Sequence, residues 1–271
     1  MKSLFVIGAM LLGGICTTQA QTMKVYEPGG TTVFNTASVD SVTFVEATPQ
    51  ANTVQYSTVK TVDAHWCALG TSITYLNTYE KFDRFDKGYL DRVMDQIKFT
   101  KLTNQGVSGG TISSAYNKVI KADYYTIEHG INDWGQHVEP GTFEDYVNAT
   151  NSGSFAYWYR KVIDRIFQVN PNAKVVLCTP RKAYDFAGYL PMNCMDALDG
   201  IYLKDYVDII RQIGEYEGFP VADFYAECGG QRDLRRMSND SALHPNDEGY
   251  QMMANVLIPA LEKVLKYDTG K

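Results

Sequence analysis

A chain of 271 residues, 45% hydrophobic and 21% charged, has room for one globular catalytic domain with a sizeable core and a small appendage. The formal charge is −6, and no basic run interleaves with aromatics, which excludes a nucleic-acid partner and leaves the acidity as a solvated surface. Beyond the first twenty residues, no stretch is long and apolar enough to read as a transmembrane helix.

Residues 1–20 read as a signal peptide. Lys2 gives the positive start, Leu4 to Ile15 is an apolar run too short to span a bilayer, and Thr18 and Ala20 flank a cleavage before Gln21. Cleavage removes Lys2, the one charge in this segment, and leaves −7. Cys16 offers a lipid anchor as the lesser alternative, because bulky Ile15 stands where such sites carry Gly or Ala. Export with release is the expectation, to the periplasm or the exterior. It makes disulfides permissible among Cys67, Cys178, Cys194 and Cys228. Cys67 and Cys178 lie in apolar, strand-like runs, so Cys194 with Cys228 is the expected pair.

Residues 21–47 read as short β segments around Gly29-Gly30, with β-branched and aromatic residues alternating with polar ones. The stretch VDSVTF within them resembles a leader segment of exported Bacteroides-like proteins. Residues 48–60, polar and containing Pro49, read as a linker, and 61–271 as the catalytic domain. Within it the pattern predicts a strand over Val62–Leu69, helices over Tyr89–Phe99 and Thr111–Ile120, and a strand over Tyr124–Glu128. Further on it predicts a helix over Phe155–Val169, a strand over Lys174–Cys178, a helix over Tyr202–Tyr216, a strand over Pro220–Phe224 and a closing helix over Gly249–Leu265. Repeated β-then-α order implies a parallel sheet with helices on both faces, whose active sites gather at the carboxyl ends of the strands.

Three polar clusters fall at such places, and a fourth stands just before the final helix. CALGTSIT sets Ser72 just after the first strand, where a turn lifts the hydroxyl out of the sheet. TNQGVSGGTI (103–112) brings glycines that let backbone approach a ligand, without the spacing of a phosphate loop. IEHGINDWG (127–135) offers the uncharged amide of Asn132. NDSALHPNDEGY (239–250) holds His244 ahead of the last helix. Each alone reads at least as readily as a turn, a cap or a structural histidine. Their order is what carries information.

In that order, GTS, NQGVSGG, GIND and SALHP resemble the blocks of the SGNH (GDSL-type) hydrolase superfamily, over residues from about 62 to 268. The resemblance implies a three-layer α/β/α, flavodoxin-like fold with a central parallel sheet, to which residues 21–47 add the small N-terminal β appendage. It implies Ser72 as nucleophile, His244 as base, an oxyanion hole from Ser72, Gly109 and Asn132, and no metal or organic cofactor. Thr71 stands where the family has Asp in its GDS block, and Ser241 stands where it has the acid, three residues before the histidine. Asp240 is adjacent and could orient the imidazole in a reshaped loop; the sequence slightly favours a Ser-His dyad without it.

His129, Asp133 and Tyr184 are expected to line the pocket, with Phe186 and Tyr189 offering flat faces to a sugar; His137 could touch substrate, and His65 reads as structural. Export and the lack of a long Leu/Phe-rich insertion point to small acyl groups, such as acetyl, on carbohydrate. The alternatives are a lysophospholipase or thioesterase, or a catalytically silent glycan-binding protein on the same fold. Nothing in the sequence specifies an oligomeric state.

Overall fold

A computed structural model describes residues 22–27, 30–35, 60–76, 87–186, 188–240 and 242–268, with side chains from 61 to 265. Residues 1–20, expected to be a signal segment and including Cys16, the expected linker up to residue 59, and Ser241 lie outside the described residues. The chain divides into two units, Met1–Val54 and Gln55–Lys271. In the first, β1 (Thr22–Glu27) and β2 (Gly30–Asn35) pair antiparallel with Glu27 opposite Gly30.

In the second unit, five strands among the described residues form one sheet: β3 (Lys60–Gly70), β4 (Ile97–Gly106), β5 (Tyr124–Glu128), β6 (Lys174–Cys178) and β7 (Val221–Ala222). Their order is β4-β3-β5-β6-β7 and every pairing is parallel. The central strands are apolar on both faces because both faces are covered. Cys67, Leu69, Tyr125, Ile127, Val175 and Leu177 point into one core, against α3 (Ile112–Ala115), α6 (Phe155–Val169) and α7 (Leu203–Glu217). Their neighbours Trp66, Ala68, Tyr124, Val176 and Cys178 point into the other, against α2 (Tyr89–Met94), α8 (Phe224–Glu227) and α10 (Asp247–Asp268). This period of two splits the sheet's side chains between two helical layers and produces the three-layer α/β/α fold. The covering helices present matching stripes: α6 buries Phe155, Ala156, Tyr159, Val162, Ile163 and Ile166, spaced for one face of a 3.6-residue helix.

Three expected elements change conformation along part of their length. The predicted helix over Tyr89–Phe99 stops at Met94, and β4 follows directly, a strand that the sequence pattern does not announce. As an edge strand it buries Ile97 and Phe99 but exposes Lys98, Thr100 and Lys101, so its polar half hides the alternation. The helix predicted over Thr111–Ile120 is α3 followed by a 3₁₀ turn, Tyr116–Lys118. The strand predicted over Pro220–Phe224 shrinks to Val221–Ala222, because Asp223 caps α8 by accepting the Ala226 N–H.

The expected Cys194–Cys228 disulfide is absent: all four cysteines are buried and free. Cys194 packs with Tyr184, Leu234 and Ala242, whereas Cys228 belongs to the core under α10, so the two thiols serve different apolar clusters. Among the described residues, no helix is long and apolar enough to cross a membrane.

Candidate active site

Sheet register fixes where the polar clusters meet. Gly70 of β3 pairs with Gly106 of β4 and Glu128 of β5, and Glu128 pairs with Cys178 of β6. The carboxyl ends of four strands therefore form one row. After β3 the chain goes to β4 on one side and then to β5 on the other, which makes β3 the switch point beside which open parallel sheets bind their ligands. Ser72, Gly109 and Asn132 follow this row by two, three and four residues.

Ser72 begins α1 (Ser72–Tyr75), a single turn capped by Thr71, whose hydroxyl accepts the Ile73 N–H. The turn folds back tightly on the strand ends. A Cβ on Gly70 would lie 2.0 Å from Thr74 Oγ1, and one on Gly106 would lie 2.3 Å from the Tyr75 nitrogen. Asn104 secures the turn from β4 by donating to the Thr74 carbonyl at 2.8 Å. Ser72 is 7% exposed and its Oγ lies 3.0 Å from His244 Nε2.

His244 sits in the loop before α10. That loop is tied by Asn239 N–H to the His244 carbonyl, Asn246 N–H to the Met237 carbonyl, and the buried Arg181, which donates to Ser238 Oγ and the Leu243 carbonyl. The Leu243 N–H bonds the Asp240 carbonyl, closing a turn that swings the Asp240 side chain back over the loop. One Asp240 oxygen accepts the His244 backbone N–H at 2.8 Å and the other accepts His244 Nδ1–H. The carboxylate that meets the imidazole thus stands four residues before the histidine rather than three, and Asp240, which the sequence slightly disfavoured as a partner, lies in contact with the ring. Phe186 places its ring edge-on to the imidazole, centroids 5.4 Å apart, which limits how far the ring can swing. A hydroxyl bonded to an imidazole whose other nitrogen is bonded to a carboxylate can be deprotonated as it attacks.

Asn132 lies on α4 (Ile131–Gly135), almost fully buried, and its amide donates to the Gly110 carbonyl at 3.1 Å. Gln136 donates to the Gly109 carbonyl at 2.7 Å, so two side chains from one turn hold the glycine loop. Gly109 has φ of 70°, in the left-handed region, and is exposed. The Tyr189 ring lies against Gly135, where a Cβ would come within 2.4 Å of it, fastening the 181–200 connection beside this turn.

Three of the expected pocket residues are placed elsewhere. His129 is fully buried, with neither ring nitrogen partnered among the described residues, and burial pushes its pKa down to about 4, so it is neutral. Asp133 is fully buried too; both its oxygens accept the Ile112 N–H, anchoring the start of α3, and burial pushes its pKa up to about 7. Tyr184 packs in the satellite cluster beneath Arg235 and donates to the Gln231 carbonyl. Strand-end polar residues are as readily used to fasten loops as to meet a ligand. His137 faces solvent and pairs with Asp199 at 3.0 Å, while His65 bonds Thr103 within the sheet.

Sequence reasoning passed over Glu128, buried at the end of β5, and Arg181, buried against the His244 loop. The available signal was a charged residue at the end of an otherwise apolar strand. Among the described residues, no three His, Cys, Asp or Glu side chains converge to hold a metal ion.

Residues 68–252 match the family model of the GDSL-like lipase/acylhydrolase family. Among solved structures, a possible lipase from Chitinophaga pinensis is 26% identical with a TM-score of 0.64, over 74% of this chain and 99% of that one. A protein from Lactobacillus plantarum (20% identity, TM-score 0.63, 74% and 98% covered) shares the fold. So does a member of the lipolytic G-D-S-L family from Veillonella parvula (17%, 0.51, 73% and 98%). A comparison with curated proteins finds no match. With the family model spanning most of the chain and the sheet matching these folds, this protein belongs to the GDSL-like lipase/acylhydrolase family, within the SGNH superfamily of ester hydrolases.

Proposed function

We propose that this chain is an exported serine esterase that removes small acyl groups, acetyl above all, from carbohydrate. The observation that carries the catalytic part is the line Ser72 Oγ to His244 Nε2 to Asp240, with the first contact at 3.0 Å. Ser72 Oγ attacks the ester carbonyl while His244 Nε2 takes its proton; Asp240 holds the ring tautomer and stabilises the imidazolium. The oxyanion is received by the Ser72 N–H, the Gly109 N–H and the Asn132 amide, each worth about 10²–10³ in rate. Asn132 would exchange its bond to the Gly110 carbonyl for one to the oxyanion. His244 then returns the proton to the departing alcohol oxygen. Water, deprotonated by the same nitrogen, attacks the acyl-enzyme; its collapse frees the acid and restores the Ser72 hydroxyl.

The substrate part rests on the export signal read in residues 1–20 and on the long, aromatic 181–200 connection, which brings Phe186 against His244 and contains no Leu/Phe-rich insertion to hold an acyl chain. Acid release from acetylated polysaccharides, p-nitrophenyl esters of increasing chain length and lysophospholipids tests it. Acetylated glycans and short esters are expected to lead. A strong preference for long-chain lysolipid would overturn the assignment in favour of a lysophospholipase.

A further inference from the structure

Glu128 is a carboxyl with 0% exposure at the end of β5, in the row that carries the nucleophile turn. One of its oxygens, Oε2, accepts three bonds: from the Thr71 N–H at 3.1 Å, the Thr71 hydroxyl at 2.8 Å and the Thr74 hydroxyl at 3.1 Å. The donors are relays. Thr71 Oγ1 accepts from the Ile73 N–H while giving its proton to Glu128, and Thr74 Oγ1 gives its proton to Glu128, which leaves the Tyr89 hydroxyl at 2.7 Å to donate to Thr74. Thr71 precedes Ser72, and Thr74 follows it by two. Both sides of the serine are therefore fastened to one oxygen.

We infer that Glu128 is a positioning residue for Ser72, acting through Thr71 and Thr74 to hold the single-turn helix that carries the hydroxyl. This rests on the reading of Ser72 as nucleophile. A helix of one turn has no stability of its own, so the orientation of Ser72 Oγ towards His244 must come from such tertiary anchors. Thr71 stands where the family has Asp, and in this chain a carboxyl meets it from the neighbouring strand. Around Glu128 stand Tyr89 on α2, Tyr159 on α6, Tyr250 on α10, Cys178 on β6, Asp133 on α4 and His244 in the last loop. None is an arginine or lysine, and burial pushes the Glu128 pKa up to about 7. Oε1 has no partner among the described residues. An amide meets the same demands, its oxygen replacing Oε2.

The test compares Glu128→Leu, Glu128→Gln and Thr71→Val by steady-state kinetics on p-nitrophenyl acetate and by the rate of fluorophosphonate labelling. Loss of the clamp in Glu128→Leu is expected to lower kcat and labelling rate by about 10²-fold with KM nearly unchanged. Glu128→Gln is expected to recover most of that loss, and Thr71→Val to fall between. A Glu128→Leu enzyme at the wild-type rate, a loss confined to KM, or a glutamine variant as slow as the leucine one would overturn the inference. Should the leucine variant not fold, an undiminished Thr71→Val rate overturns it and a reduced one with unchanged KM upholds it. Ser72→Ala separates the two levels: labelling that persists there removes the nucleophile reading, whereas labelling lost there but unaffected at Glu128 removes the clamp alone.

Discussion

Asp240 touches His244 twice, at the backbone N–H and at the ring, so its carboxylate fixes both the loop and the imidazole tautomer. Replacing it by asparagine keeps the volume but offers the ring an amide that can donate to Nδ1 and hold the wrong tautomer. Asp240→Asn is therefore expected to lower kcat by about 10³–10⁴ with little change in KM, measured on a short p-nitrophenyl ester. A loss below tenfold would restore the dyad. The buried groups make a second statement at this scale. Glu128, ordinarily near 4.5, and Asp133, ordinarily near 3.8, both titrate near 7 in the folded protein. Between those limits the folded state keeps protons that the unfolded chain has released, so their contribution falls as pH rises towards 7 and is flat above. His129, lowered from 6.5 to about 4, opposes them, adding stability as pH rises through that interval. Two raised carboxyls outweigh one lowered imidazole, so the balance falls with rising pH. Thermal melts should accordingly show Glu128→Gln gaining on the wild type from pH 5 to pH 8; a difference independent of pH would contradict a protonated Glu128.

Among the elements, those covered on both sides were legible as such. Tyr124–Glu128, Lys174–Cys178 and Phe155–Val169 appear where periodicity and apolar runs set them, because burial on both faces of the sheet or along one helix face leaves a dense signal. The strand Ile97–Gly106 was not legible, since only its first residues alternate and its rest is half-solvated. The site follows the same division. Ser72 and His244 stand in short blocks whose spacing to strand and helix ends is local. Asp240 instead depends on a turn, and Glu128 on strand register that joins residues 57 positions apart. Tyr184, His129 and Asp133 carry pocket-like residue types, but only packing tells a ligand contact from a fastening. The nucleophile turn supplies a prediction at this scale. Gly70→Ala forces a Cβ against Thr74 and Glu128 and is expected to cost roughly 1–3 kcal/mol together with a loss of kcat. Gly109→Ala has open space around it, and its left-handed φ alone costs about 1–2 kcal/mol. Chemical denaturation and kinetics on both variants check this; an unchanged kcat in Gly70→Ala would show that the close packing at Gly70 does not set the position of Ser72.

At the scale of the molecule, one parallel sheet with its chain reversal at β3 brings four separate stretches of sequence to a single edge, and the family assignment follows from that edge as much as from the blocks themselves. Everything proposed for this edge depends on Ser72 forming the covalent intermediate there, activated by His244. Intact-mass measurement and peptide mapping of the protein after treatment with a fluorophosphonate probe read that step without any assumption about substrate. A single adduct is expected on the peptide containing Ser72, lost in Ser72→Ala and slowed by orders of magnitude in His244→Ala. An adduct on another residue, or one that survives Ser72→Ala, would contradict it.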